Sequence, residues 1–128
     1  MTYWLCRIDE DNFMIVKRRW IWGLQEEMKE VMKQVKLGDY LIFLSPDKIG
    51  GVFIVTSNPF VSKIGIFKGG VFPYRVEVKP TDFVPKEPIE FRLFYKEKEA
   101  PSIKRISKAD FDLIRSEIGK HIKARAQF

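Results

Sequence analysis

The chain has one cysteine and one histidine in 128 residues, and each scarcity removes a class of function. With Cys6 alone there is no intramolecular disulfide and no multi-cysteine metal site. Within the apolar run 3–8, Cys6 reads as a small buried hydrophobe. His121 stands beside Lys120 and Lys123 with no acid at a suitable spacing, so a histidine-based catalytic centre lacks an orienting group. No apolar run approaches the roughly 18–20 residues that span a bilayer. Residues 1–12 carry neither a basic leader nor a long apolar segment. Phosphate loops, nucleophile elbows and metal-ligand spacings are also missing. The expectation is a cytoplasmic domain that is not an enzyme, with no metal, no cofactor and no membrane partner.

Apolar side chains are plentiful. Hydrophobic residues make up 45% and aromatics 14%, with eleven Phe, enough for one core. Residues 1–128 therefore read as a single domain. The net charge of +6 and pI near 9.5 favour an acidic partner, nucleic acid first. A lysine-heavy chain with short loops is also what an organism that lives hot would make.

The organising stretch is 35–60, VKLGDYLIFLSPDKIGGVFIVTSNPF. Two nearly continuous apolar runs, 40–44 and 52–55, flank a turn rich in Pro and Gly, which predicts a hairpin covered on both faces. Gly38 can take a positive φ in the turn before it, and Asp39 can bond backbone two residues on. Residues 3–8 read as a first strand. Asp9, Asp11 and Asn12 offer caps for a helix over 12–18, with Phe13 and Val16 inward. A second helix is predicted over 25–35, on the spacing of Leu24, Met28, Val31, Met32 and Val35. Further strands are expected at 71–80 and 89–95, then a charged, mobile loop at 96–102. Ser107 caps a last helix with the stripe Phe111, Ile114, Ile118 and Ile122. Helices that do not alternate regularly with strands argue against a doubly wound parallel sheet. The fold class is α+β, a small curled sheet or barrel of about five to six strands with flanking helices.

Residues 17–23, KRRWIWG, set three cations before two tryptophans. In an extended segment Trp20 and Trp22 would share one side. Either both fill the core, or they form an aromatic wall for a flat ligand whose phosphates the cations hold. Asn12 likewise is either a helix cap or an amide that reads a base edge.

The chain resembles the EVE domain family, a branch of the PUA-like superfamily related to the YTH domains. The resemblance lies in Tyr3-Trp4-Leu5-Cys6, the segment from Asn12 to Trp22-Gly23, and Val35-Lys36-Leu37-Gly38-Asp39. It continues in Gly51-Val52-Phe53-Ile54-Val55-Thr56-Ser57 with Pro59-Phe60, then in 69–72 and Pro73-Tyr74-Arg75-Val76. The late segment 108–114 resembles the closing helix of the family. Each motif is short, and their order and spacing carry the specificity. The resemblance implies a PUA-like mixed β-barrel that accepts a modified base removed from its stack. It implies Trp22 as one wall and Asn12 as reader of the base edge, with Phe60, Phe67 or Phe72 as the second wall. Ser57, Tyr74 and Trp20 would line the site. Phosphates would meet Lys17, Arg18, Arg19 and Arg75. The chain departs from YTH domains at Gly23, where they carry a hydroxyl residue, and its short loops around Asp47 and Lys68 hold no second Trp.

The function expected on these grounds is a nucleic-acid-binding module that recognises a modified, most simply methylated, base in an aromatic pocket. Trp22→Ala should then abolish selectivity and leave the fold intact. The alternatives are a PUA-like nuclease acting on RNA, or a protein-docking domain with an exposed apolar patch. Nothing in the residues distinguishes RNA from DNA or sets an oligomeric state.

Overall fold

The computed structural model describes residues 1–90 and 103–126, the second segment with side chains as far as Lys123. Strand β1 (Tyr3–Arg7) leads into helix α1 (Glu10–Arg19), followed by β2 (Ile21–Leu24), a 3-10 turn (Glu26–Met28) and the one-turn helix α2 (Lys29–Met32). The hairpin β3 (Tyr40–Leu44) and β4 (Lys48–Val55) comes next, then β5 (Phe60–Val61), β6 (Tyr74–Pro80), β7 (Ile89–Glu90), β8 (Ile103–Ile106) and helix α3 (Lys108–Ala126). Most of the strand expected over 89–95, and the whole loop 96–102, lie outside the described residues.

The sheet runs β2-β6-β4-β3-β1-β8, with β5 and β7 as two-residue additions on β6 and β4. It is mixed, because β1 pairs parallel with β3 while its other ladders are antiparallel. The result is an α+β half-barrel, as the sequence predicts. The predicted hairpin lies at its centre and is buried on both faces, which explains its unbroken apolar runs. Trp4, Cys6, Leu41, Phe43, Phe53, Val55, Val76 and Val78 form one core with Phe13 and Val16 of α1, Trp22 of β2 and Met32 of α2. Leu5, Ile42, Leu44, Ile49 and Val52 form the other, closed by Phe111, Ile114 and Ile118 of α3. Alternation along β1 and β3 sends neighbours to opposite cores. The Cys6 thiol is fully enclosed, and burial pushes its pKa well up.

Local signals hold at both outer helices. The Asp9 carboxylate accepts the Asn12 N–H at 2.7 Å and caps α1, and Ser107 Oγ accepts the Asp110 N–H at 3.1 Å at the start of α3. The second helix is far shorter than its periodicity predicts. Leu24 belongs to β2, and a single α-helical turn remains after the 3-10 segment. Gly38 has the expected positive φ, 92°. Asp39 does more than turn the chain. Its carboxylate is buried and accepts from Thr2 N, Trp4 Nε1 and Lys36 N at 2.9, 3.0 and 2.9 Å. Edge strand β8 is not predicted from its own residues, because four of them (IKRI) carry too little pattern.

Among the described residues no helix is long and apolar enough to cross a membrane, and no group of three His, Cys, Asp or Glu could hold a metal ion.

Candidate functional site

Three pieces of chain meet around a cavity of about 280 Å³. The β1–α1 junction contributes Arg7, Ile8, Asp9 and Asn12. Strand β2 and the turn after it contribute Trp22, Gly23, Leu24, Gln25, Glu27 and Met28. The loop before β6 contributes Phe67 and Phe72. Trp22 is 2% exposed, so little of its indole faces the cavity, and its ring meets Phe43 edge-on at 5.8 Å. It is a floor, not a free wall. The half-buried rings of Phe67 and Phe72 lie 5.5 Å apart and nearly perpendicular, and they supply the aromatic side.

The loop carrying these rings is held by Arg75. Its guanidinium is buried and donates to the carbonyls of Phe72 (3.0 Å), Val71 (2.9 Å) and Ile64, and to Ser62 Oγ (3.2 Å). Burial lowers the Arg75 pKa from its usual value. The guanidinium also lies 5.2 Å from the centre of the Phe67 ring. Phe72 has φ of 50°, a left-handed conformation uncommon for a bulky side chain, which persists only when its surroundings enforce it. Gly23 lets the loop come close. A Cβ there would lie 2.7 Å from the Phe72 carbonyl oxygen and 3.2 Å from both Arg75 Cγ and Phe67 Cε2. This is why no hydroxyl residue stands beside Trp22. Gly23→Ala is expected to cost about 1–2 kcal/mol by overpacking and to speed amide exchange in 62–72. A thermal transition and exchange pattern equal to the parent would show that the loop does not need this contact.

The sequence-derived site residues are partly brought together. Trp22, Asn12 and Phe67 line the cavity, and of the three choices for a second wall Phe67 and Phe72 lie on it while Phe60 does not. Asn12 is not a free reader, however. Its amide donates to Asp9 Oδ2 (3.1 Å) and to the Lys68 carbonyl (2.9 Å), and its oxygen accepts the Lys68 N–H (2.7 Å). Both amide protons are taken, so Asn12 fastens the loop to the start of α1. Arg75 is corrected from a phosphate contact to an internal clamp for the same reason, since its donors face carbonyls.

The remaining predictions lie outside the lining. Trp20 ends α1 in a left-handed conformation (φ 56°), 45% exposed with Lys79 Nζ 5.8 Å from its ring centre. It therefore does not share the environment of Trp22, because the chain is not extended there. Ser57 Oγ accepts the Glu77 N–H at 2.8 Å, and Phe60 lies on β5 opposite Arg75. The Tyr74 hydroxyl donates to Glu26 Oε1 at 2.9 Å, a bond that raises its pKa. Lys17, with Nζ 5.0 Å from the Phe13 ring centre, and exposed Arg18 and Arg19 end α1. At ~1.5 Å per residue, Arg19 is about 10 Å along the helix from Asn12. The cation at the loop is Lys68, ion-paired with Asp11 at 2.6 Å, which raises the lysine pKa.

Sequence reasoning missed Arg7, Gln25, Glu27 and Met28. Arg7 had one legible signal: it is the only charged residue in the run 3–8, placed just before the helix cap.

The architecture is an α+β half-barrel, a fold it shares with YTH domains. The Mmi1 YTH domain superposes with a TM-score of 0.75, at 13% identity, over 96% of this chain and 78% of that one. The YTH domain of Zygosaccharomyces rouxii MRB1, solved in complex with N6-methyladenosine RNA, gives a TM-score of 0.72 at 12% identity, over 91% of this chain and 86% of that one. A protein from Agrobacterium tumefaciens gives 0.67 at 13% identity, over 93% and 94%. At such identities the likeness is one of fold.

By sequence, the relatives are UPF0310 proteins. The chain is 38% identical over 96 residues to PH1033 of Pyrococcus horikoshii, an alignment covering 62% of this chain and 66% of that protein. It is 32% identical over 94 residues to SSO2595 of Saccharolobus solfataricus, covering 62% and 61%. The chain thus spans just under two thirds of the relatives' length. No family model matches the sequence.

Proposed function

We propose that this chain is a nucleic-acid-binding module of the EVE type that holds one unstacked, modified base in the cavity between Trp22, Phe67 and Phe72. The observation that carries this reading is Phe72. A bulky residue is kept at φ of 50°, with its carbonyl gripped by a buried arginine and its ring on the cavity. Backbone strain of this kind is retained where it positions a functional group. A volume of about 280 Å³ suits a single heterocycle better than a whole nucleotide. Stacking on an aromatic contributes roughly 1–3 kcal/mol, comparable to the cost of taking a base out of its stack. The fold shared with a YTH domain solved in complex with N6-methyladenosine RNA supports the same reading. So does the formal charge of +6, with exposed Arg18 and Arg19 available to phosphates.

We take the module to be non-enzymatic. The histidine, His121, is exposed on α3, a helix that packs on the face of the sheet opposite the core that holds Trp22.

The test is a titration against short single-stranded oligonucleotides with and without a central methylated base, at two salt concentrations. Phe72→Ala is the informative variant, because truncating the buried Trp22 would open the core and confound binding with folding. Modification-dependent affinity that survives higher salt and drops about tenfold in Phe72→Ala is the expected result. Binding that ignores both the modification and Phe72, and disappears with salt, would reduce the protein to a generic phosphate surface.

A further inference from the structure

One cationic side chain in the cavity wall has no partner among the described residues. Arg7 is half-buried at the end of β1 and lines the cavity; its Nε is enclosed, and its two Nη groups, which are not enclosed, have no hydrogen-bond or ion-pair partner among the described residues. An unpaired guanidinium in a cavity wall leaves its Nη–H groups free to meet a ligand acceptor. The neighbours restrict that ligand. Asp9 and Glu27 line the same cavity, so its formal charges are one positive and two negative. A phosphate or carboxylate would meet two carboxylates for one guanidinium, whereas a neutral heterocycle with amino donors suits both signs. Asn12 does not compete for the reading role, because its amide protons already go to Asp9 and Lys68.

We propose that Arg7 determines specificity in this cavity by reading a base edge on which a carbonyl oxygen adjoins an unprotonated ring nitrogen. Guanine and cytosine carry that edge, and adenine does not. The inference rests on the base-pocket reading above. The two Nη–H groups at the end of the guanidinium form a pair of parallel donors in a rigid fork. Guanine O6 and N7 accept such a fork, and cytosine O2 and N3 present the same pair of acceptors. Adenine and N6-methyladenine lack the carbonyl and leave one donor unsatisfied. The amino group of guanine or cytosine can in turn donate to Asp9 or Glu27. This chain would therefore prefer a different base from that in the MRB1 complex, despite the common fold.

The experiment uses fluorescent single-stranded oligothymidylates that differ only at one central base, which is guanine, cytosine or adenine, each unmethylated and methylated and compared at the same methylation state. The parent protein should bind the guanine or cytosine strand at least about tenfold more tightly than the matching adenine strand. Arg7→Gln and Arg7→Lys should bring that ratio to within about twofold to threefold, each checked for an unchanged thermal transition. A parent protein that favours an adenine strand overturns the proposal without using any variant. A preference that persists in either folded Arg7 variant also overturns it. Phe72→Ala separates the two levels of inference. Binding sensitive to Phe72 but indifferent to Arg7 refutes the role of Arg7 alone, while binding indifferent to both refutes the base pocket itself.

Discussion

Asp39→Ala is expected to lower the unfolding free energy by about 3–5 kcal/mol, the largest effect of any single replacement considered. The Asp39 carboxylate is 3% exposed and accepts from the Thr2 and Lys36 backbone N–H groups and from the Trp4 indole. Hydrogen bonds to a charged group contribute roughly 1.5–3 kcal/mol each, with incomplete additivity. Truncation orphans the Trp4 indole N–H inside the core and unties the start of β1 from the turn before β3. These are the ends at which the parallel ladder begins, with Tyr3 opposite Tyr40. Asp39→Asn should cost less, since one oxygen still accepts, but its amino group must then face a donor. Urea denaturation at matched m-values reads both variants. An Asp39→Ala protein within 1 kcal/mol of the parent would mean that water satisfies these donors.

The second large effect falls on the site. Arg75→Gln should cost about 2–4 kcal/mol and release residues 62–72, because one buried guanidinium holds three carbonyls and a hydroxyl. With the Phe72 carbonyl freed, the left-handed backbone has no reason to persist, and its ring should leave the cavity. Amide exchange should accelerate across 62–72 while β3 and β4 stay protected. Arg75→Lys separates this clamp from a phosphate contact. Lysine keeps the charge but cannot bond several carbonyls from one planar group, so it should behave like Gln. An Arg75→Lys protein with normal exchange and normal affinity would restore the phosphate role that the sequence suggests.

How much of the site was legible depends on whether a residue acts through its type or through its partners. Trp22 could be singled out because two tryptophans beside three cations are informative as types, whereas Phe67 entered only through the resemblance, as one of three choices for a second wall. Asn12 and Arg75 could also be singled out, yet with the wrong roles. An amide and a guanidinium have fixed donors but no fixed partners, and here the partners are the Lys68 backbone, 56 residues from Asn12, and loop carbonyls. Trp20 was placed on the side of Trp22 on the assumption of an extended chain. A helix ending at Arg19 broke that alternation.

The sequence by itself determined the α+β class, the doubly covered hairpin, the caps of α1 and α3 and the apolar stripe of α3. Each depends on periodicity or on hydrogen bonds within a few residues of chain. Only the tertiary structure decided the parallel pairing of β1 with β3, the left-handed Phe72, and the grouping of Arg7 with Phe67, Phe72 and Glu27. These depend on which distant segments meet. That choice is made by packing of the whole sheet, and no local run of residues encodes it.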